Sequence, residues 1–424
     1  MKYISNKNRE PIPASSQQLT KEGNAKTLFD IIAEKGSISR AQLAKITGLS
    51  PSTVSVLTEE LIRQKMILEA KKGGSSPTGR KPIMLEVDPQ GMQIPCFTFK
   101  ATGLLYVLYD LKYQVIEQKF QPYGSNLNKS SASQEECVIT PSDEEVFNLF
   151  DSLLSKRAEK LDWGRVRVMT IAFPGAFWWD ANTYDSSFLG WRGSVGFVDM
   201  LQEKYGNVPL LVGNVSEFLS CAEKKVQNSG KKNLMYVYIG HGVGSGVILD
   251  NQPYSGEYGL TGEFGHVSID YKGKKCRCGN CGCLEGYVTI PAIINSVRAA
   301  IFSGEDTLLM DLCGYEQTKI NLTTIATALS NGDPLVTRVL QDIALKICVG
   351  LNSALCLFGA MDVYIGGGIE ELGDTFLQML RQTLKEVGVR QIVANTTLHY
   401  SALSNNAECL GAVNAYVDNY FDVI

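Results

Sequence analysis

The chain has 424 residues, 44% hydrophobic and 20% charged, with 40 Lys/Arg against 44 Asp/Glu. Its length exceeds one ordinary core and predicts two to four domains, and its composition is that of a soluble globular protein. No apolar run approaches the ~18 residues needed to cross a bilayer, and the opening MKYISNKNREPIPASSQQ lacks the apolar core of a signal peptide, so a cytoplasmic protein with no membrane partner is expected.

The net charge of -4 hides an asymmetry. Residues 1–90 carry 14 Lys/Arg against 9 Asp/Glu, leaving 26 against 35 for the remainder. A basic head on an acidic body points to a nucleic-acid contact confined to the head. Eleven cysteines, odd in number and scattered outside one cluster, fit a reducing compartment better than a disulfide framework.

After an N-terminal tail (1–23), residues 24–88 predict a winged helix-turn-helix. Asn24 is placed to cap a first helix whose Leu28, Ile31 and Ile32 share a face, and Gly36 stops it. Ser39 caps a second helix with Leu43 and Ile46 directed inward, and Gly48 makes the turn. Ser50 caps a third, with Pro51 at its first position and Val54, Leu57 and Leu61 as the buried stripe. Two β-prone runs then flank a Gly/Ser/Pro tip, the pattern of a wing. In this geometry Ser52, Thr53 and Ser55 meet base edges in the major groove, while Lys71, Lys72, Arg80 and Lys81 neutralise phosphate or enter a narrow minor groove. A bundle used for protein contacts is the plainer alternative, but helix, turn, recognition-helix start and basic wing all occur in register.

Beyond Pro89 strands alternate with helices, which predicts an α/β body with a hairpin-rich sheet. Residues 121–142 are polar and read as a mobile insertion. IGHGVGSGVI is a glycine-rich turn between strands, divided evenly between a phosphate loop and a tight hairpin. Trp178 and Trp179 read first as packing residues, and a sugar-stacking role is the weaker reading.

The densest chemistry lies in GEFGHVSIDYKGKKCRCGNCGCLE, residues 262–285, where His266 and Cys276, Cys278, Cys281 and Cys283 fall between Glu263 and Glu285. Imidazole and thiolates suit tetrahedral zinc, and five candidate donors exceed the four that zinc needs, so one is spare.

The body resembles the ROK family (repressors, open reading frames, kinases) in IAFPG, FLGW, the glycine turn at 240–246, TGEFGH, CRCGNCGCLE and IGGGI. The head resembles the winged helix-turn-helix of the family's repressor branch in SISRAQLAKITGLSPSTVSVLTEELIRQKMILE and GRKP. The resemblance implies an α/β, actin-like (ribonuclease H-like) two-lobed sugar-kinase fold behind the DNA-binding head. Its first lobe would span 91–212 together with a C-terminal helix 409–424, and its second lobe 213–408. The resemblance also implies structural zinc on His266, Cys276, Cys278 and Cys283, with Cys281 spare, and a sugar grip of Asn214, Glu263, His266 and Glu285.

Two departures from the family's kinases decide against catalysis. Where the kinases carry Asn-Asp-Ala-Asn this chain has Asn214-Val215-Ser216-Glu217, and valine cannot serve as a general base. Where they carry Asp-x-Gly-Gly-Thr it has Thr98-Phe99-Lys100-Ala101-Thr102, without the aspartate or the glycines. The expectation is a non-enzymatic, sugar-responsive regulator, foremost a repressor, bound to an operator in double-stranded DNA as a homodimer or homotetramer. A regulator answering to a protein partner through a vestigial pocket is the alternative, since Val215 and Glu217 also alter the sugar side. An active sugar kinase is the weakest reading.

Overall fold

Three helices open the fold: α1 (Ser16–Lys35), α2 (Arg40–Thr47) and α3 (Pro51–Arg63). The computed structural model describes residues 1–4, 16–70, 82–127, 139–157, 161–186, 188–206, 208–227, 231–256, 260–302 and 304–419. Lys71, Lys72, Arg80 and Lys81 of the wing tip, and residues 128–138 of the polar insertion, lie outside these.

The head forms as its capping residues dictate. Ser39 and Gln42 make a reciprocal capping box on α2, Gly48 ends that helix at φ 71°, and the Ser50 side chain accepts from the Thr53 amide at the start of α3. Strands Ile67–Ala70 and Met84–Val87 pair antiparallel as the stem of the wing, and Ile38–Ser39 joins the second of them. Two expectations are corrected. The first helix starts at Ser16, so Asn24 lies inside it rather than at its cap, because a run of helix formers upstream outweighs the roughly 1 kcal/mol cost of carrying Gly23. Ile46 is exposed, not buried, since Leu43 alone of α2 fills the core.

Among the described residues the first body sheet has six strands, in the order Lys2–Ile4, Leu210–Asn214, Met169–Phe173, Gln93–Lys100, Gly103–Asp110, Val115–Pro122. The tail expected over 1–23 is therefore not free: Lys2, Tyr3 and Ile4 pair antiparallel with Val212, Leu211 and Leu210. One face of this sheet packs an aromatic core in which Phe97 and Phe99 meet Phe150 edge-on and Phe99 meets Trp191.

The second sheet has, among the described residues, five strands in the order Gln252–Pro253, Val243–Leu249, Leu234–Ile239, Asp362–Gly366, Thr397–Tyr400. Helices Ile290–Phe302, Pro334–Phe358 and Gly373–Val387 contribute to the core on one of its faces. Pro334–Phe358 is long and apolar enough by length and composition to cross a membrane, although Arg338, Asp342 and Lys346 interrupt its apolar sequence. Its Val336, Leu340, Ile343, Ile347 and Leu351 are instead buried in the core of this lobe.

Helices Val215–Gln227 and Ala407–Asn419 lie together at the junction of the lobes. Their Phe218, Ala222, Ala412, Val413 and Tyr416 form one buried cluster with Leu211 of the first sheet, Tyr236 of the second, and Leu28, Ile32, Leu57 and Leu61 of the head. Close approach here requires Gly411, because a Cβ at that position would sit 1.8 Å from the Phe218 carbonyl oxygen. The head therefore shares a core with the body, and Lys26 of α1 also reaches Asp418 at 3.5 Å.

Candidate ligand and metal site

A cavity of about 1120 Å³ lies at the junction of the lobes, and Asn214, Glu263, His266 and Glu285 all stand on its wall. Asn214 ends the strand Leu210–Asn214, where its side-chain oxygen accepts from the Ser216 amide at 2.8 Å and caps the following helix. Its amide nitrogen donates to the Gly175 carbonyl at 2.9 Å, which fixes the side chain in place.

Glu263 and His266 come from one tight turn. Gly262, at φ +80°, lets the chain pass so close to Ser245 that a Cβ would lie 1.9 Å from its carbonyl oxygen. The Gly262 carbonyl accepts from the Ser245 amide at 2.7 Å, fastening the turn to the glycine hairpin. Glu285 opens the short helix Glu285–Val288, and its carboxylate accepts from the Val243 amide at 3.0 Å on the same hairpin. Burial pushes the Glu263 carboxyl above its ordinary range; His266 opposes that shift and Glu285 adds to it.

The two ring nitrogens of His266 face different neighbours. Nε2 lies 3.7 Å from a Glu263 oxygen, while Nδ1 lies 3.7 Å from the Cys276 sulfur. Cys278 and Cys283 sulfurs are 3.6 Å apart, and the ligand atoms of His266, Cys276, Cys278 and Cys283 all fall within 4.8 Å of one another. Tetrahedral zinc with ~2.3 Å bonds to sulfur holds its sulfurs about 3.8 Å apart, so this donor set fits that ion. Burial, then hydrogen bonding to neighbouring thiols, pushes Cys283 up to about 12, and burial also raises Cys276; a cation bound here would favour the thiolate forms. Cys281 is outside the four-atom group, and its carbonyl accepts from Ser268 Oγ at 2.8 Å.

Val215 also lines the cavity, but Glu217 does not. Glu217 is buried, holds the Met1 amino group at 2.8 Å and accepts from Ser255. Trp178 is half-exposed on the cavity wall, whereas Trp179 stacks on Phe177 beneath the Lys2 ammonium.

On α3, Ser52 is exposed and Thr53 and Ser55 are half-buried, with the Ser50 hydroxyl 2.8 Å from the hydroxyls of both Ser52 and Thr53. Sequence reasoning missed Val56, which is 58% exposed one residue after Ser55. An apolar side chain four residues after Ser52 shares its helix face, and that spacing was the available signal. It also missed the pairing of Lys100 with buried Glu408, which receives a second hydrogen bond from Thr98 at 3.1 Å.

The ROK family profile matches residues 133–418. The chain belongs to the ROK family. A winged helix-turn-helix DNA-binding profile matches residues 26–67. The xylose repressor of Bacillus subtilis is 27% identical over 97% of this chain and 99% of its own length. The DNA-binding transcriptional dual regulator NagC of Escherichia coli is 23% identical over 92% of this chain and 91% of its own. The crystal structure of a ROK family transcriptional regulator described as a homolog of the E. coli MLC protein superposes with a TM-score of 0.76 at 24% identity, covering 95% of this chain and 97% of that one. A ROK family glucokinase from Streptomyces griseus, solved with glucose and AMPPNP, superposes at 0.59 with 19% identity over 76% of this chain and 97% of its own. The body therefore has the actin-like fold of ROK sugar kinases, with a helix-turn-helix head in front of it.

Proposed function

We propose that this ROK protein is a sugar-responsive transcriptional repressor that binds operator DNA and carries no catalytic activity. One observation carries the reading. A hydroxyl-matching set of two carboxylates, an imidazole and an amide gathers on a single interlobe cavity, in a chain whose DNA-binding head shares its core with the helices beside that cavity. Asn214, Glu263, His266 and Glu285 hold the sugar, since carboxylates accept from neighbouring hydroxyls and the amide both donates and accepts. Zinc on His266, Cys276, Cys278 and Cys283 is structural, with all four positions filled by protein, and it stiffens the loop that presents His266 and Glu285.

Ser52, Thr53 and Ser55 read the operator while Lys71, Lys72, Arg80 and Lys81 contact phosphate, in a homodimer or homotetramer matched to repeated half-sites. Sugar binding that favours one arrangement of the lobes by about 1–3 kcal/mol changes DNA affinity several-fold to a hundred-fold. The absence of kinase chemistry follows from Val215, which has no proton-accepting atom where the resemblance puts the general base. Footprinting at promoters beside the gene, with and without candidate sugars, tests the reading. A sugar that releases the footprint supports it; phosphorylation of a hexose from ATP, abolished by Glu263→Ala, sinks it.

A further inference from the structure

The cavity is large, and it is already supplied with anions. At about 1120 Å³ it exceeds the ~300–1,000 Å³ typical of small-molecule pockets and leaves room beyond one pyranose ring. Among the described residues its wall carries six carboxylates: Asp185, Glu263, Glu285, Glu370, Glu371 and Glu408. Set against them are Lys100, Arg192 and Arg277, and two of these cations are spoken for. Lys100 pairs with Glu408, and Arg192 grips Asp185 at 2.6 and 2.7 Å. Arg277 is exposed on the metal loop.

The glycine turns are committed in the same way. Backbone amides in such turns hold phosphate when they are free to point at it. Here the Gly368 amide donates to Glu370 at 2.8 Å, and the Val243 amide donates to Glu285 at 3.0 Å. A phosphoryl group entering either turn must displace a resident carboxylate and then face the remaining acids in a partly desolvated space, where like charges repel strongly.

We propose that the cavity selects an uncharged saccharide of two or more sugar units and excludes sugar phosphates and nucleotides, with Glu370 and Glu408 as the residues that enforce the exclusion. The inference rests on the sugar-sensor reading and narrows its ligand class. Carboxylates that repel phosphate are good acceptors for hydroxyls, so the same wall that excludes an anion suits a second sugar ring, and half-exposed Trp178 offers that ring a face.

The test uses the full-length protein and two kinds of probe. Isothermal titration with pyrophosphate and with glucose 6-phosphate is expected to show no binding at millimolar concentration for the wild type. Glu370→Gln combined with Glu408→Gln is expected to gain at least tenfold in affinity for both, and Glu370→Gln alone, which spares the buried Lys100 partner, to gain part of it. Melting-temperature screening of neutral mono-, di- and trisaccharides is expected to show larger shifts for the longer ligands. Wild-type binding of either anion, an unchanged anion affinity in both variants, or a monosaccharide that stabilises as much as any longer ligand overturns the inference while leaving a sugar sensor standing. If no carbohydrate, neutral or charged, binds at all, the sensor reading falls with it.

Discussion

Replacing Gly262 by alanine tests whether the turn carrying Glu263 and His266 is built as the geometry indicates. A non-glycine residue held at φ +80° costs about 1–2 kcal/mol. The new Cβ also meets the Ser245 carbonyl oxygen at 1.9 Å, so the turn must retreat by about 1 Å, with most of the contact energy of the Ser245–Gly262 hydrogen bond, about 1 kcal/mol, lost in the movement. The control is Gly304→Ala, at φ +87° with nothing within 4 Å of its Cβ, which carries the backbone strain alone. At roughly 2–4 °C per kcal/mol for a unit of this size, Gly262→Ala is expected to melt several degrees below Gly304→Ala. Displacing one charge-assisted hydrogen bond to the ligand, worth about 1.5–3 kcal/mol, predicts at least a tenfold weaker sugar response in a DNA-release assay, with sugar-free DNA affinity unchanged. Equal melting of the two variants, with a full sugar response in both, would refute the reasoning.

Metal analysis of purified protein is expected to find about one zinc per chain, lost in Cys278→Ser and Cys283→Ser but kept in Cys281→Ser; retention in the first two contradicts the ligand set. Asp151 is raised by burial, yet hydrogen bonds from Lys204 at 2.6 Å and Tyr205 at 2.5 Å outweigh this and hold its carboxyl below the ordinary 3.8. A depressed carboxylate contributes stability that is present above its unfolded value and lost as pH falls through the folded one. Asp151→Asn is therefore expected to lower the melting temperature at pH 7 and to match wild type once the pH drops well below 3.8, and a gap that persists in acid would argue against the ion pair. Ser52→Ala and Val56→Ser are each expected to weaken operator binding by about 1–3 kcal/mol in gel-shift titrations, with the sequence preference relaxed at one base pair rather than lost throughout; an unchanged operator affinity in both would remove this face of α3 from the groove.

The parts of the molecule that could be read from sequence are those where chemistry is local. Ser39, Gly48, Ser50 and Pro51 mark the ends of α2 and α3 because capping depends on a few neighbouring backbone groups. Cys276, Cys278 and Cys283 meet because the loop between them is short. What escaped sequence reading depends on partners far along the chain. Lys2–Ile4 gives no sign that it will pair with a strand more than 200 residues away, and three residues are too few for a periodic signal. Ile46 follows the spacing of a buried residue yet faces outward, since the inward face of α2 runs through Arg40, Leu43, Ala44 and Thr47. Glu217 read as an altered pocket residue, but it is held by the Met1 amino group, 216 residues away along the chain.

The pairing of Lys2–Ile4 with the strand ending in Asn214 changes what kind of object the DNA-binding head is. The chain leaves the first body sheet at Ile4, builds the head, and returns to the same sheet at Gln93. The head is thus an insertion with two junctions rather than a module hung from one linker. A chimera that exchanges heads between related repressors by a single cut near residue 90 would carry a foreign edge strand into the sheet beside the ligand grip. A graft taken between residue 4 and residue 93 keeps that edge native, so the choice of cut sites determines whether a swapped head inherits the original sensor intact.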